Sequence, residues 1–327
     1  MRRNSALVSA ASAVVLAAGT LAGAATVPAA AHDSHTGHTG HTGSGSASAP
    51  ATKTLSAVSA KARTVSLVAR LDGAQEVPTQ GGPAVGDQDG QAVALVKVKG
   101  DRVTFALSWQ GIGAPTLGHI HEGGAGVNGA VRTGLFTTAM PAGVDSAAGQ
   151  TSVNDAALAE RLRTDPGSFY VNLHSAEFPG GAVRGQLKPT GRAINPLAII
   201  RGGSLRALAD GSQEVPAEDP KAVGDRDGHA VAFLHPGRRS VGYSLAWVNI
   251  AAPVAGHIHE GVLGKNGAVK VPLFTTPVPQ NIFALSGSVT VADTAVLKQL
   301  KKRPTGFYAN LHTAEFPDGA VRGQLFH

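Results

Sequence analysis

The pentapeptide His119-Ile120-His121-Glu122-Gly123 returns as His257-Ile258-His259-Glu260-Gly261. The offset of 138 residues holds without insertion or deletion from Gln75–Leu187 to Gln213–Leu325. About half of the positions matched in this way are identical. The chain therefore carries two copies of one module, and any fold proposed for it has to serve both.

The periodicity inside one copy points to strands. Gln91–Lys99 and Arg102–Gln110 alternate apolar and polar residues around Gly100-Asp101, the pattern of a β-hairpin. Further strands are expected at Val65–Leu71, Leu117–Glu122, Ala130–Phe136, Gly149–Val153, Phe169–His174 and Ala182–Leu187. One helix is expected, capped by Asn154 or Asp155, running over Ala156–Arg163 and stopping before Pro166. Seven or eight short strands with one short helix predict an all-β Greek-key sandwich, immunoglobulin-like or superoxide-dismutase-like, in each of two tandem domains. A content of 42 glycines and 19 prolines suits such turn-rich architecture.

Around the repeats the composition changes. Arg2 and Arg3 precede a small-residue apolar run, and Ala29-Ala30-Ala31 fits a signal-peptide cleavage site, so residues 1–31 read as a leader of an exported protein. No stable membrane anchor is expected from so short an apolar core. Residues 32–62 read as a disordered tail, rich first in His-Thr-Gly triplets and then in Ser, Ala and Thr. His32, His35, His38 and His41 could chelate a metal or simply solvate the tail. The first domain is placed at 63–188, a linker at 189–203 and the second domain at 204–327. Linker residues Pro189, Gly191 and Pro196 permit independent motion.

Several function classes drop out. There is no cysteine, hence no disulfide framework, thiolate metal site or catalytic thiol. The formal charge of +6 is not gathered into a basic run with interleaved aromatics, so nucleic acid is not an expected partner. No nucleophile elbow is readable. Asp87-Gln88-Asp89-Gly90 and Asp225-Arg226-Asp227-Gly228 lack the remaining ligands of a calcium loop and read as turns.

The histidines carry the chemistry that is left. On a strand, residues two apart share a face, so His119 and His121 project together while Ile120 points the other way. Asn172 and His174 share a face for the same reason. If the two strands are neighbours, three imidazoles converge, a set suited to copper or zinc with one open position. His257, His259 and His312 repeat the arrangement, giving about one metal per domain. Glu122, Glu177, Glu260 and Glu315 are candidates to orient the ring N–H groups. The competing reading leaves these histidines hydrogen-bonded to loops with no ion. His229, His235 and His327 fall outside the repeated set and read as surface residues.

Taken together, Gln-Glu-Val-Pro, His-Ile-His-Glu-Gly, Asn-Gly-Ala-Val and Asn-Leu-His-x-Ala-Glu-Phe-Pro-x-Gly-Ala-Val-Arg-Gly-Gln-Leu resemble the CHRD domain in both copies. That resemblance implies an extracellular β-rich binding module whose ligand or protein partner is unknown, with no established activity. A narrower likeness joins His119–Glu122 and His174 to the copper site of copper/zinc superoxide dismutases. It implies a copper-dependent redox enzyme as the alternative, with Arg184 and Arg322 as anion contacts, although no bridging histidine or zinc loop is present. A purely structural extracellular protein is the third reading.

Overall fold

The computed structural model describes residues 63–216 and 223–327. The leader and the His-rich tail expected at 1–62 lie outside the described residues. Within each module the strands form two antiparallel layers. In the first module one layer runs β6 (Val144–Ser152), β3 (Arg102–Gln110), β2 (Gln91–Lys99), β1 (Val65–Asp72). The other runs β5 (Val131–Phe136), β4 (Leu117–Glu122), β7 (Phe169–His174), β8 (Val183–Gln186). The layers meet where Asp72 of β1 pairs with Arg184 of β8. A short β9 (Lys188–Pro189) continues along β1. The expected all-β, two-layer architecture is what the chain adopts.

Alternation explains the core. Every second residue of β2 is buried, and Ala94 and Val96 reach the interior with Leu67, Phe105, Ile120, Val171 and Leu173. The helix α1 (Ala156–Thr164) begins where Asp155 accepts hydrogen bonds from the N–H groups of Ala157 and Leu158. Its apolar face, Leu158 and Leu162, joins the same core.

The second module repeats this order. Strands β10 (Leu205–Asp210), β11 (His229–Pro236), β12 (Ser240–Val248) and β15 (Ile282–Thr290) form its first layer. Strands β13 (Ala255–Glu260), β14 (Val269–Phe274), β16 (Phe307–His312) and β17 (Val321–Gln324) form its second. Its helix α2 (Thr294–Lys302) is capped by Asp293. Among the described residues no helix is long and apolar enough to cross a membrane.

The modules are joined through a sheet. Strand β6 pairs antiparallel with β15, so the two first layers form one continuous surface. Ala147 lies opposite Leu285, its own counterpart in the repeat, with Ser146 opposite Ser286 and Ala148 opposite Ala284. The seam thus has local two-fold character, the self-complementary geometry of an isologous contact. It also explains why β6 starts at Val144 and not at Gly149 as the pattern suggested. Ser146, Ala147 and Ala148 are all buried, which removes the alternation that marks a half-exposed strand.

Residues between the modules pack over that seam. The turn at Pro196–Ile199 buries Ile199, whose carbonyl accepts a 2.7 Å hydrogen bond from Ser286 Oγ. Arg201 donates its backbone N–H to Ser244 Oγ and its guanidinium to Asp145. Pro and Gly in the linker therefore shape a docked turn, and the independent motion that its composition permits is not what the structure shows.

Candidate metal centre

The second layer of each module has one apolar and one polar face. Ile120, Val171, Leu173 and Val183 face the core with no measurable exposure. On the opposite face the register sets His121 beside Tyr170, His119 beside Asn172, and Asn172 beside Arg184. Neighbouring strands are tightly matched here. A side chain at Gly118 would place its Cβ only 2.3 Å from the Phe136 ring, so this position must stay small.

Both histidine triads converge. One ligand nitrogen from each of His119, His121 and His174 lies within 4.8 Å of the others, and His257, His259 and His312 do the same. His119 Nδ1 stands 3.3 Å from His174 Nε2, and His257 Nδ1 stands 3.1 Å from His312 Nε2. Two nitrogens bound at about 2.0 Å to one tetrahedral ion would be separated by about 3.3 Å.

Backbone carbonyls fix the tautomers. His121 Nδ1 is 2.9 Å from Gly129 O and His174 Nδ1 is 3.0 Å from Pro179 O. A carbonyl only accepts, so both Nδ1 atoms carry protons and both Nε2 atoms keep lone pairs. His174 Nε2 meets His119, whereas His121 Nε2 is buried with no hydrogen-bond partner at all. His259 Nε2 is orphaned in the same way. An unpartnered buried lone pair is costly unless something fills it.

Electrostatics favour the neutral, ligating form. Burial, reinforced by the neighbouring imidazoles, holds His119 and His257 down at about 4. Burial likewise lowers His121, His174, His259 and His312. None of these rings needs to shed a cationic proton at neutral pH before binding a metal.

The carboxylates expected to orient the rings lie elsewhere. Glu122 turns outward to Arg132 and Arg161, and Glu260 to Lys270. Glu177 and Glu315 are exposed. Their expected role falls to the carbonyls of Gly129 and Pro179, which come with the loops at no cost in side-chain entropy. Arg184 and Arg322 are also placed differently from an anion contact. Arg184 is only 2 % exposed, and its guanidinium donates to Gly124 O, Val127 O and Asn128 Oδ1.

One residue on this face went unnoticed in the sequence. Glu76 of Gln-Glu-Val-Pro lies against Asn172, which donates to its Oε2 at 3.4 Å. Gly181, at φ +139°, makes room for it, since a Cβ there would stand 2.6 Å from Glu76 Oε1. Burial raises Glu76 and its counterpart Glu214 to about 7, against the lowering influence of Arg184 or Arg322. The exact return of Gln-Glu-Val-Pro at 213–216 was the available signal, but the motif reads locally as a turn.

The remaining features carry less. Asp87 and Asp225 sit in turns closed by Gly90 N–H and Gly228 N–H, as expected for these loops. His229, His235 and His327 are exposed. A groove of about 840 Å³ on the first layer, lined by Arg70, Gln91, Trp109, Gln110, Asp145 and Arg201, contains none of the histidines.

A family model for the CHRD domain matches residues 67–187 and again 205–325. The chain belongs to the CHRD-domain family. Each matched span runs from the first strand of a module through its histidine face to the buried leucine after the closing strand, Leu187 or Leu325. A tandem CHRD chain is a protein of the binding-module kind. No curated protein and no solved structure matched it.

Proposed function

We propose that each CHRD module of this chain is a three-histidine site for a transition metal, copper or zinc, and that the chain works as an exported metal-binding protein. The supporting observation is the orphaned Nε2 of His121, repeated at His259, beside a second pair of nitrogens at ligand spacing. Backbone carbonyls set the tautomers of His121, His174, His259 and His312, which leaves an Nε2 lone pair on each of them beside the third imidazole. Three neutral imidazoles fit the borderline-soft donor preference of Cu and Zn, and three protein ligands leave a position open for an exogenous ligand. Export rests on the leader-like residues 1–31.

A redox enzyme of the superoxide-dismutase kind has less support. Its anion would need a cation facing the open position, and both candidate arginines spend their donors on loop carbonyls.

The test is metal content of the chain lacking residues 32–43, so that the tail histidines contribute nothing. Two equivalents of copper or zinc per chain are expected after loading and desalting. Alanine at His119, His121, His174, His257, His259 and His312 should abolish uptake. A folded protein that takes up no metal on titration would leave only the structural reading.

A further inference from the structure

We infer that Arg184, and Arg322 in the second module, are positioning residues for the histidine site, acting on His121 and His259 through one tyrosine and the backbone of one glycine. The inference rests on the metal-site reading for its consequence, but its geometry stands in the metal-free protein.

The contacts run in one line. Arg184 lies over the Tyr170 ring, with its guanidinium carbon 3.5 Å from the ring centroid. The other face of Tyr170 stacks on the His121 imidazole, at 4.8 Å between centroids and 13° between planes. Tyr170 Oη accepts the N–H of Gly129 at 3.2 Å, and the carbonyl of that same glycine accepts His121 Nδ1–H at 2.9 Å. Arg184 meanwhile holds the preceding loop by Gly124 O, Val127 O and Asn128 Oδ1 at 2.9, 2.6 and 3.1 Å. One buried cation therefore fixes both surfaces that hold the imidazole: the ring beneath it and the loop that supplies its acceptor.

The second module repeats each link. Arg322 stands 3.5 Å from the Tyr308 centroid, Tyr308 stacks on His259 at 4.8 Å and 10°, and Gly267 bridges tyrosine and histidine. Arg322 reaches Val262 O, Lys265 O and Asn266 Oδ1. Gly129 itself cannot be replaced, because a Cβ would lie 1.4 Å from Glu122 O; at Gly267 the distance is 1.5 Å. A planar fork that stacks and donates to several acceptors is arginine chemistry, and lysine does not reproduce it.

Arg184→Lys in the full chain tests this with two readouts. In metal-free protein, nitrogen-15 NMR of the imidazoles should show His121 as a single Nδ1–H tautomer, and R184K should mix the two tautomers while His259 stays unchanged. In a background with His257, His259 and His312, and the tail residues His32, His35, His38 and His41, replaced by alanine, R184K should weaken copper(II) binding about 10- to 100-fold, the usual scale for a lost orienting contact. If R184K does not fold, Tyr170→Phe, which removes only the hydroxyl held by Gly129, carries the same two measurements. An unchanged His121 tautomer together with an unchanged copper affinity would overturn the inference. A background protein that binds no copper even with Arg184 intact would instead overturn the metal reading, and the tautomer would still judge the positioning role.

Discussion

The two modules agree most closely on the histidine face and least at its margin. Carbonyl-to-imidazole distances are 2.9 Å at both His121 and His259, and the arginine–tyrosine stacks are 3.5 Å in both. At the margin, Glu122 is gripped by Arg132 and by Arg161 of α1, whereas Glu260 has only Lys270. The position equivalent to Arg161 is Gln299 on α2. The difference follows from burial. On the face, the arginine donors and their loop acceptors are each other's buried partners, so losing one strands the others. Exposed ion pairs at the rim exchange readily with water and are worth little.

That contrast can be broken most strongly at the buried arginines. Arg184→Met would leave three loop acceptors without a donor and should cost about 3 kcal/mol. Arg322→Met should cost the same within about 1 kcal/mol, given the standing scatter of such measurements. Urea unfolding of both variants checks this, and a large loss at one arginine with none at the other would end the equivalence of the modules.

The pH dependence sharpens the comparison next, with two opposite limbs. Burial keeps His119 and His257 at about 4, below the ordinary 6.5, so the unfolded chain binds protons that the folded chain refuses. Stability from this source is present above pH 6.5 and falls as pH drops towards 4. Glu76 and Glu214, raised to about 7 from 4.5, act the other way. Their contribution is present below pH 4.5 and is lost as pH rises through 7. Replacing both by glutamine should flatten only the alkaline limb in unfolding measured across pH; an unchanged alkaline limb would count against the buried carboxyls.

The smallest effect is expected at the rim. Glu122→Gln and Glu260→Gln should each leave metal uptake intact and shift the melting temperature little, with any loss at Glu122 disappearing in high salt. A marked fall in metal uptake at either would place these glutamates back beside the imidazoles.

Much of this was legible in the residues. Alternation located the hairpin of β2 and β3 to the residue, and the i, i+2 rule set His119 and His121 on one face. Asp155 and Pro166 marked the limits of α1. What stayed hidden depends on tertiary approach. The start of β6 was masked because its first residues are buried in the seam with β15, where small apolar and hydroxyl side chains show no period of two. Arg184 reads as a charge fit for an anion until the loop carbonyls around it are seen. Glu76 lies 96 residues from Asn172, and nothing local announces their meeting.

The account's central claim is that His119, His121 and His174 hold one metal ion, and that His257, His259 and His312 hold another. Anomalous diffraction from copper- or zinc-soaked crystals of the chain lacking residues 32–43 tests it most directly. Two peaks are expected, one per module, each within bonding distance of the Nε2 atoms of His121 and His174 or of His259 and His312. Well-ordered soaked crystals with empty triads would contradict it.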